Sequence, residues 1–192
     1  MKKYTRFIAY CSIASSLVSC SSNQQKNAAT AAAQDTSREA LIANVKAVEA
    51  KLQTLPTLDA NNANLAVTAY SKFAGRFPND TISPKFLFKA ANITMTIGQY
   101  DKAISLYNSI VAQYPGFKYV PDCIFVEGFI YDTYMKDTAK AHAKYQEVVT
   151  KYPDNNLAGQ AKAAISALGK SDEELIKEFQ EKNKKGNKKT QS

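Results

Sequence analysis

Four side chains in this sequence are suited to thiol, acid–base or metal chemistry near neutral pH: Cys11, Cys20, Cys123 and His142. Nucleophilic catalysis needs a thiol beside a base, and a zinc site needs three or four ligands. His142 is the single histidine. It follows Ala141 on a face expected to be solvated, and it has no second ligand. Cys123 falls near the start of a predicted helix, where the dipole could lower a thiol pKa. No catalytic partner accompanies it, so packing is its expected role. Asp172, Glu173 and Glu174 sit in the first turn of another predicted helix, where carboxylates stabilise the positive end. There is no phosphate-binding glycine loop and no nucleophile motif. The residues therefore point away from an enzyme, and imply neither a metal nor a cofactor.

Cys20 stands apart because of what precedes it. Residues 1–6 carry Lys2, Lys3 and Arg6, and residues 7–18 are mainly apolar. That run is too short to span a bilayer and suits a secretory leader. It ends in Leu17, Val18, Ser19 and Cys20, which resembles the bacterial lipobox. The resemblance implies that the leader, residues 1–19, is cut before Cys20, whose sulfur receives a diacylglycerol. Several acyl chains make a stable anchor where one is marginal. Ser21 follows the cysteine and residues 22–25 hold no acid. By the same resemblance, this implies an outer-membrane lipoprotein facing the periplasm. Residues 20–36 are mostly Ser, Asn, Gln, Ala and Thr, with little to bury. They are expected to form a flexible tether reaching roughly 20–25 Å.

Behind these residues lies a repeat. Ala66, Tyr70, Phe73, Phe77 and Pro78 recur as Ala103, Tyr107, Ile110, Tyr114 and Pro115, and again as Ala141, Tyr145, Val148, Tyr152 and Pro153. Offsets of 0, 4, 7 and 11 place the first four on one helical face. The proline ends the helix. One such helix cannot bury its stripe alone, whereas a stack can. Partner helices are expected between the blocks. Ser83 and Pro84 open one as N-cap and first residue, and Gly98 ends it. Pro121 opens the next, with Asp122 in its first turn. Ala91 and Gly128 each lie seven residues after their proline, small enough for a close helix crossing. Residues 37–53 form a helix with Thr36 and Glu39 as capping box, broken before Pro56. Residues 156–168 form another, stopped by Gly169. Ser171 and Glu174 cap a last one over 172–182.

This pattern resembles the tetratricopeptide repeat (TPR). Ala91 and Gly128 match the small position of its first helix, Ala103 and Ala141 that of its second. Tyr107 and Tyr145 match its aromatic, Pro115 and Pro153 its closing proline. The Tyr-x-x-apolar-x-x-x-aromatic-Pro form is similar to envelope TPR proteins. These include the BamD-like lipoprotein of the outer-membrane β-barrel assembly machine and the periplasmic TPR protein of the Tol–Pal system. The resemblance implies an all-α, TPR-like α-solenoid of antiparallel helix pairs, about three repeats with capping helices, over residues 37–170. Residues 171–192 are then a C-terminal helix and basic tail. It also implies a groove along the first helices. Its positions fall at Lys85, Phe88, Asn92, Met95 and Thr96, then at Asp122, Phe125, Phe129, Asp132 and Thr133. Polar groups mixed with aromatics and Met suit capture of a peptide or helix, and the alternative occupant is the chain's own C-terminal helix over 171–182.

The composition agrees. Hydrophobic residues at 45% and charged residues at 22% are ordinary for a globular chain. Seven glycines and six prolines are too few for the frequent turns of an all-β fold. The formal charge of +8 resides largely in the leader and in Lys182, Lys184, Lys185, Lys188 and Lys189. The folded part lacks the basic stripe of a nucleic-acid binder. The expected function is a lipid-anchored protein-interaction scaffold of the bacterial envelope, in outer-membrane protein assembly or cell-wall and division coordination. The alternative is a periplasmic lipoprotein that binds a peptide or polymer.

Overall fold

The computed structural model describes residues 36–171 and, beyond them, residues 173, 174, 176, 177, 180 and 181. The expected leader, Cys20, the tether up to residue 35 and the tail from residue 182 lie outside the described residues.

The described residues are all-α. Seven helices follow one another: α1 (Arg38–Gln53), α2 (Ala60–Arg76), α3 (Ser83–Thr96), α4 (Tyr100–Gln113), α5 (Val120–Thr133), α6 (Thr138–Lys151) and α7 (Asn156–Ala167). Each packs on the next, as TPR-like antiparallel pairs, and α5 also touches α7. Contacts between neighbours dominate, as in a solenoid.

The repeat is visible in the backbone. The helices α2, α4 and α6 end at Phe77, Tyr114 and Tyr152, with φ of −127°, −131° and −134°. Each precedes a proline, which excludes helical geometry there. Each cap donates its N–H to the carbonyl four residues back, at Phe73, Ile110 and Val148. Each cap's own carbonyl accepts from the residue three ahead: Asp80, Phe117 and Asn155. One turn is thus built three times from one sequence signal.

Burial follows the offsets with one correction. Ala66, Ala103 and Ala141 are buried, as are Tyr70, Tyr107 and Tyr145, and Phe73, Ile110 and Val148. The fourth position, Phe77, Tyr114 and Tyr152, is only half-buried, because the chain leaves the helix there. Tyr114 turns its hydroxyl to the carbonyl of Pro78 in the preceding repeat, 2.9 Å away. The core is continuous along the stack. Leu41, Val45, Tyr70, Phe73 and Phe86 join α1 to α3. Leu87, Ala91, Tyr107, Ile110 and Cys123 join α3 to α5. Ile124, Tyr145, Val148 and Ala161 join α5 to α7.

Helix starts differ from expectation in three places. Ser37, not Thr36, caps α1 and accepts from the Ala40 N–H at 3.2 Å. Ser83 is the first helical residue of α3 rather than its cap. Its side chain is fully buried and donates to the Phe77 carbonyl at 2.6 Å, tying the α2–α3 turn instead. Helix α5 begins at Val120, one residue before Pro121. Other signals hold. Gly98 and Gly169 take φ of 77° and 76° past the ends of α3 and α7, as a left-handed C-cap requires. Ser171 and Glu174 form the reciprocal capping box, at 2.8 and 3.3 Å.

Candidate functional site

The ten groove positions lie on α3 and α5, the first helices of two consecutive pairs, and none of them is fully buried. Several are engaged within the fold. Phe88 stacks on Tyr119 with ring centres 5.2 Å apart and meets Tyr107 and Phe117 edge-on, each at 6.2 Å. Asn92 Oδ1 accepts the Tyr107 hydroxyl at 2.6 Å. Met95 packs on the same central cluster. Phe125 leans on Tyr145 at 5.3 Å. Asp122 and Asp132 are half-buried. Burial lifts the Asp122 carboxyl above its ordinary value, against its own backbone hydrogen bond. Thr133 is half-buried, while Lys85, Thr96 and Phe129 are exposed. The Thr96 hydroxyl donates back to the Asn92 carbonyl at 2.9 Å.

Phe129 belongs to a surface feature that the sequence did not single out. Tyr134, just past α5, stacks on Tyr100 of α4 at 4.2 Å, with planes 16° apart. Phe129 meets the Tyr134 ring edge-on at 5.8 Å. Phe129, Tyr134 and Met135 remain 38%, 47% and 38% exposed. That places large apolar groups together at the surface beside an open cavity of about 570 Å³. Such clusters mark interaction surfaces more often than isolated exposed residues do.

A second missed feature lies inside. Glu127 of α5 is fully buried and takes the place that Ala90 holds one repeat earlier. Its Oε2 sits 2.5 Å from Lys144 Nζ on α6. The two meet as an ion pair without a well-aligned hydrogen bond to either carboxylate oxygen. Lys144 also donates to Asn108 Oδ1 at 3.2 Å. Burial raises the Glu127 carboxyl above its ordinary value, and Lys144 opposes the rise only in part. Next to Glu127 within the core, Cys123 is fully buried. Packing is its role, as expected, and the lowering a helix start can cause does not occur: burial, with Glu127 and Asp122 nearby, pushes its thiol up to about 12. At neutral pH it is a packed, protonated thiol and a poor nucleophile.

The α5–α6 crossing depends on Gly128. A methyl group added there would stand 2.8 Å from Cδ1 and Cε1 of Tyr145. That ring is itself buried. The small residue expected for a close crossing thus receives the aromatic of the next helix. His142 is exposed on α6. Among the described residues no three His, Cys, Asp or Glu side chains are grouped to hold a metal. No described helix is long and apolar enough to cross a membrane.

Comparison with known proteins adds to this geometry. Residues 86–116 and 122–155 each match the family model of the tetratricopeptide repeat. The first match spans most of α3 with α4, the second most of α5 with α6. No curated protein matches the chain. A solved structure described as "Crystal structure of MamA" is similar at 20% identity and a TM-score of 0.44, covering 87% of each chain.

Proposed function

We propose that this chain is a lipid-anchored protein-interaction scaffold of the bacterial cell envelope, held to the membrane through Cys20. The observation that carries the scaffold part is the stack of helix pairs, two of which match the tetratricopeptide repeat. Repeats of this kind bind proteins and do no chemistry of their own. The exposed Phe129, Tyr134 and Met135 support it, since aromatic anchors dominate binding energy at interfaces. The anchor part rests on the lipobox-like Leu17, Val18, Ser19 and Cys20.

The mechanism is localisation plus binding energy. Acyl chains on Cys20 hold the protein at the outer membrane's periplasmic face, and the tether up to residue 36 lets the helical domain search nearby. Confinement raises its effective concentration against membrane partners. Proteins that assemble the outer membrane, or that coordinate wall synthesis with division, are the partners this arrangement suits. Cys20→Ala tests the anchor directly. The variant should leave the membrane fraction and lose radiolabelled palmitate. A variant that keeps both label and membrane association through the wild-type anchor contradicts the lipidation at Cys20.

A further inference from the structure

Away from the aromatic surface, α1 and α3 face each other across a cleft. Its floor is Ile42, Val45, Ile82 and Phe86, and its rim carries Lys46, Glu49, Lys85 and Lys89. The cleft holds about 200 Å³, below the roughly 300–1,000 Å³ of small-molecule sites, so it suits a side chain or two rather than a whole ligand. The rim charges are not balanced. Glu49 is already committed: its Oε1 accepts from Lys89 Nζ at 2.5 Å and from the Tyr70 hydroxyl at 2.7 Å. Burial pushes the Glu49 carboxyl up, but these two donors, together with the positive charges of Lys89 and Lys85, outweigh it and leave it below its ordinary value. It therefore stays ionised and neutralises Lys89. Lys46 and Lys85 are exposed, and neither forms an ion pair with any described residue. Lys85 and Lys89 are moreover spaced i, i+4 on α3, where like charges repel.

We infer that the α1–α3 cleft binds an acidic peptide segment, its carboxylates meeting Lys46 and Lys85 and one apolar side chain entering between Ile42, Val45, Ile82 and Phe86. Charge complementarity selects the occupant. Two cations outside any close ion pair, of which Lys85 feels the Glu49 carboxylate only at longer range, stand over an apolar floor and favour an anionic segment that also carries a hydrophobic residue. The residue that takes the place of Lys85 on α5, Asp122, has the opposite sign. The next pair therefore does not reproduce the cation at this position. This inference rests on the protein-binding reading above and names the chemistry that one face selects.

The test uses the full chain in detergent and a fluorescein-labelled peptide of Asp and Glu around one Leu. Its Asn/Gln isostere is the comparison, and anisotropy is the readout. The acidic peptide should bind at least about tenfold more tightly than the isostere, with affinity falling as salt rises. The double variant Lys46→Glu/Lys85→Glu should lose about tenfold, whereas Lys162→Glu on α7 should lose nothing. Far-UV circular dichroism checks that the variants fold. Equal binding of the two peptides, or full binding by the folded double variant, overturns the inference. So does binding of phosphatidylglycerol vesicles in place of the peptide, which assigns the lysines to a membrane surface. Dimers in light scattering that the double variant dissolves would instead assign the cleft to a second copy. If the peptide fails while in-cell crosslinking still recovers envelope proteins, this assignment falls and the scaffold reading stands.

Discussion

At the scale of single residues, Glu127 is the one charged side chain that is fully buried among the described residues. A buried carboxylate is tolerated only while its partner stays in place. Lys144→Met should therefore destabilise the domain by about 3 kcal/mol at neutral pH, measured by urea unfolding. The sign with pH follows from the raised carboxyl. Between its unfolded value of about 4.3 and its higher folded value, the folded state binds more protons, so stability falls as pH rises through that window. Lys144→Met widens the window, and its deficit should shrink as the pH is lowered. The titratable groups facing Glu127 are Lys144 and Glu147 of α6, Tyr107 of α4 and Cys123 of its own helix. Glu127→Gln, which cannot titrate, is the control. A deficit independent of pH in Lys144→Met would show that packing, not charge, holds this site. Glu127 drew no attention as sequence because carboxylates are scattered along the chain. The signal was its alignment with Ala90: a charged residue at a core position of a repeat demands a buried partner.

At the scale of helices, the close α5–α6 crossing invites a direct test. Gly128→Ala removes a helix-weakening glycine, a change that favours an isolated helix by up to about 1 kcal/mol. Here the added methyl must displace the buried Tyr145 ring, so destabilisation of roughly 1–3 kcal/mol is expected instead, read from the unfolding midpoint. A gain in stability would mean that the helices can part without cost. Helix existence, order and ends were legible because proline, glycine and the spacing of Ala, Tyr and the next apolar residue are local signals. The three equivalent caps at Phe77, Tyr114 and Tyr152 are the clearest case. Where the sequence misled, tertiary demand outweighed local preference. Ser83 has the chemistry of an N-cap, but its hydroxyl donates to the Phe77 carbonyl in the buried turn instead, and Ile82 takes the cap position with no side-chain acceptor. The aromatic surface was only partly legible. Phe129 lies on the expected face, whereas Tyr134 and Tyr100 come together only because the ends of two helices meet.

At the scale of the whole molecule, neighbour-to-neighbour packing creates a long surface and no enclosed catalytic centre among the described residues. In the proposed reading, function then depends on which partners that surface selects and where the proposed anchor at Cys20 holds it. The first two pairs present cations over an apolar cleft, and the later ones aromatics and half-buried carboxylates. Distinct faces can therefore hold distinct segments of one assembly. The most direct measurement is site-specific photo-crosslinking in living cells, with the crosslinker at Thr96 or Phe129 on the expected binding face and at His142 on exposed α6. A scaffold should give discrete adducts with envelope proteins from Thr96 and Phe129 and none of these from His142. Absence of protein adducts from Thr96 and Phe129, in cells where the protein is anchored and folded, would contradict the scaffold reading.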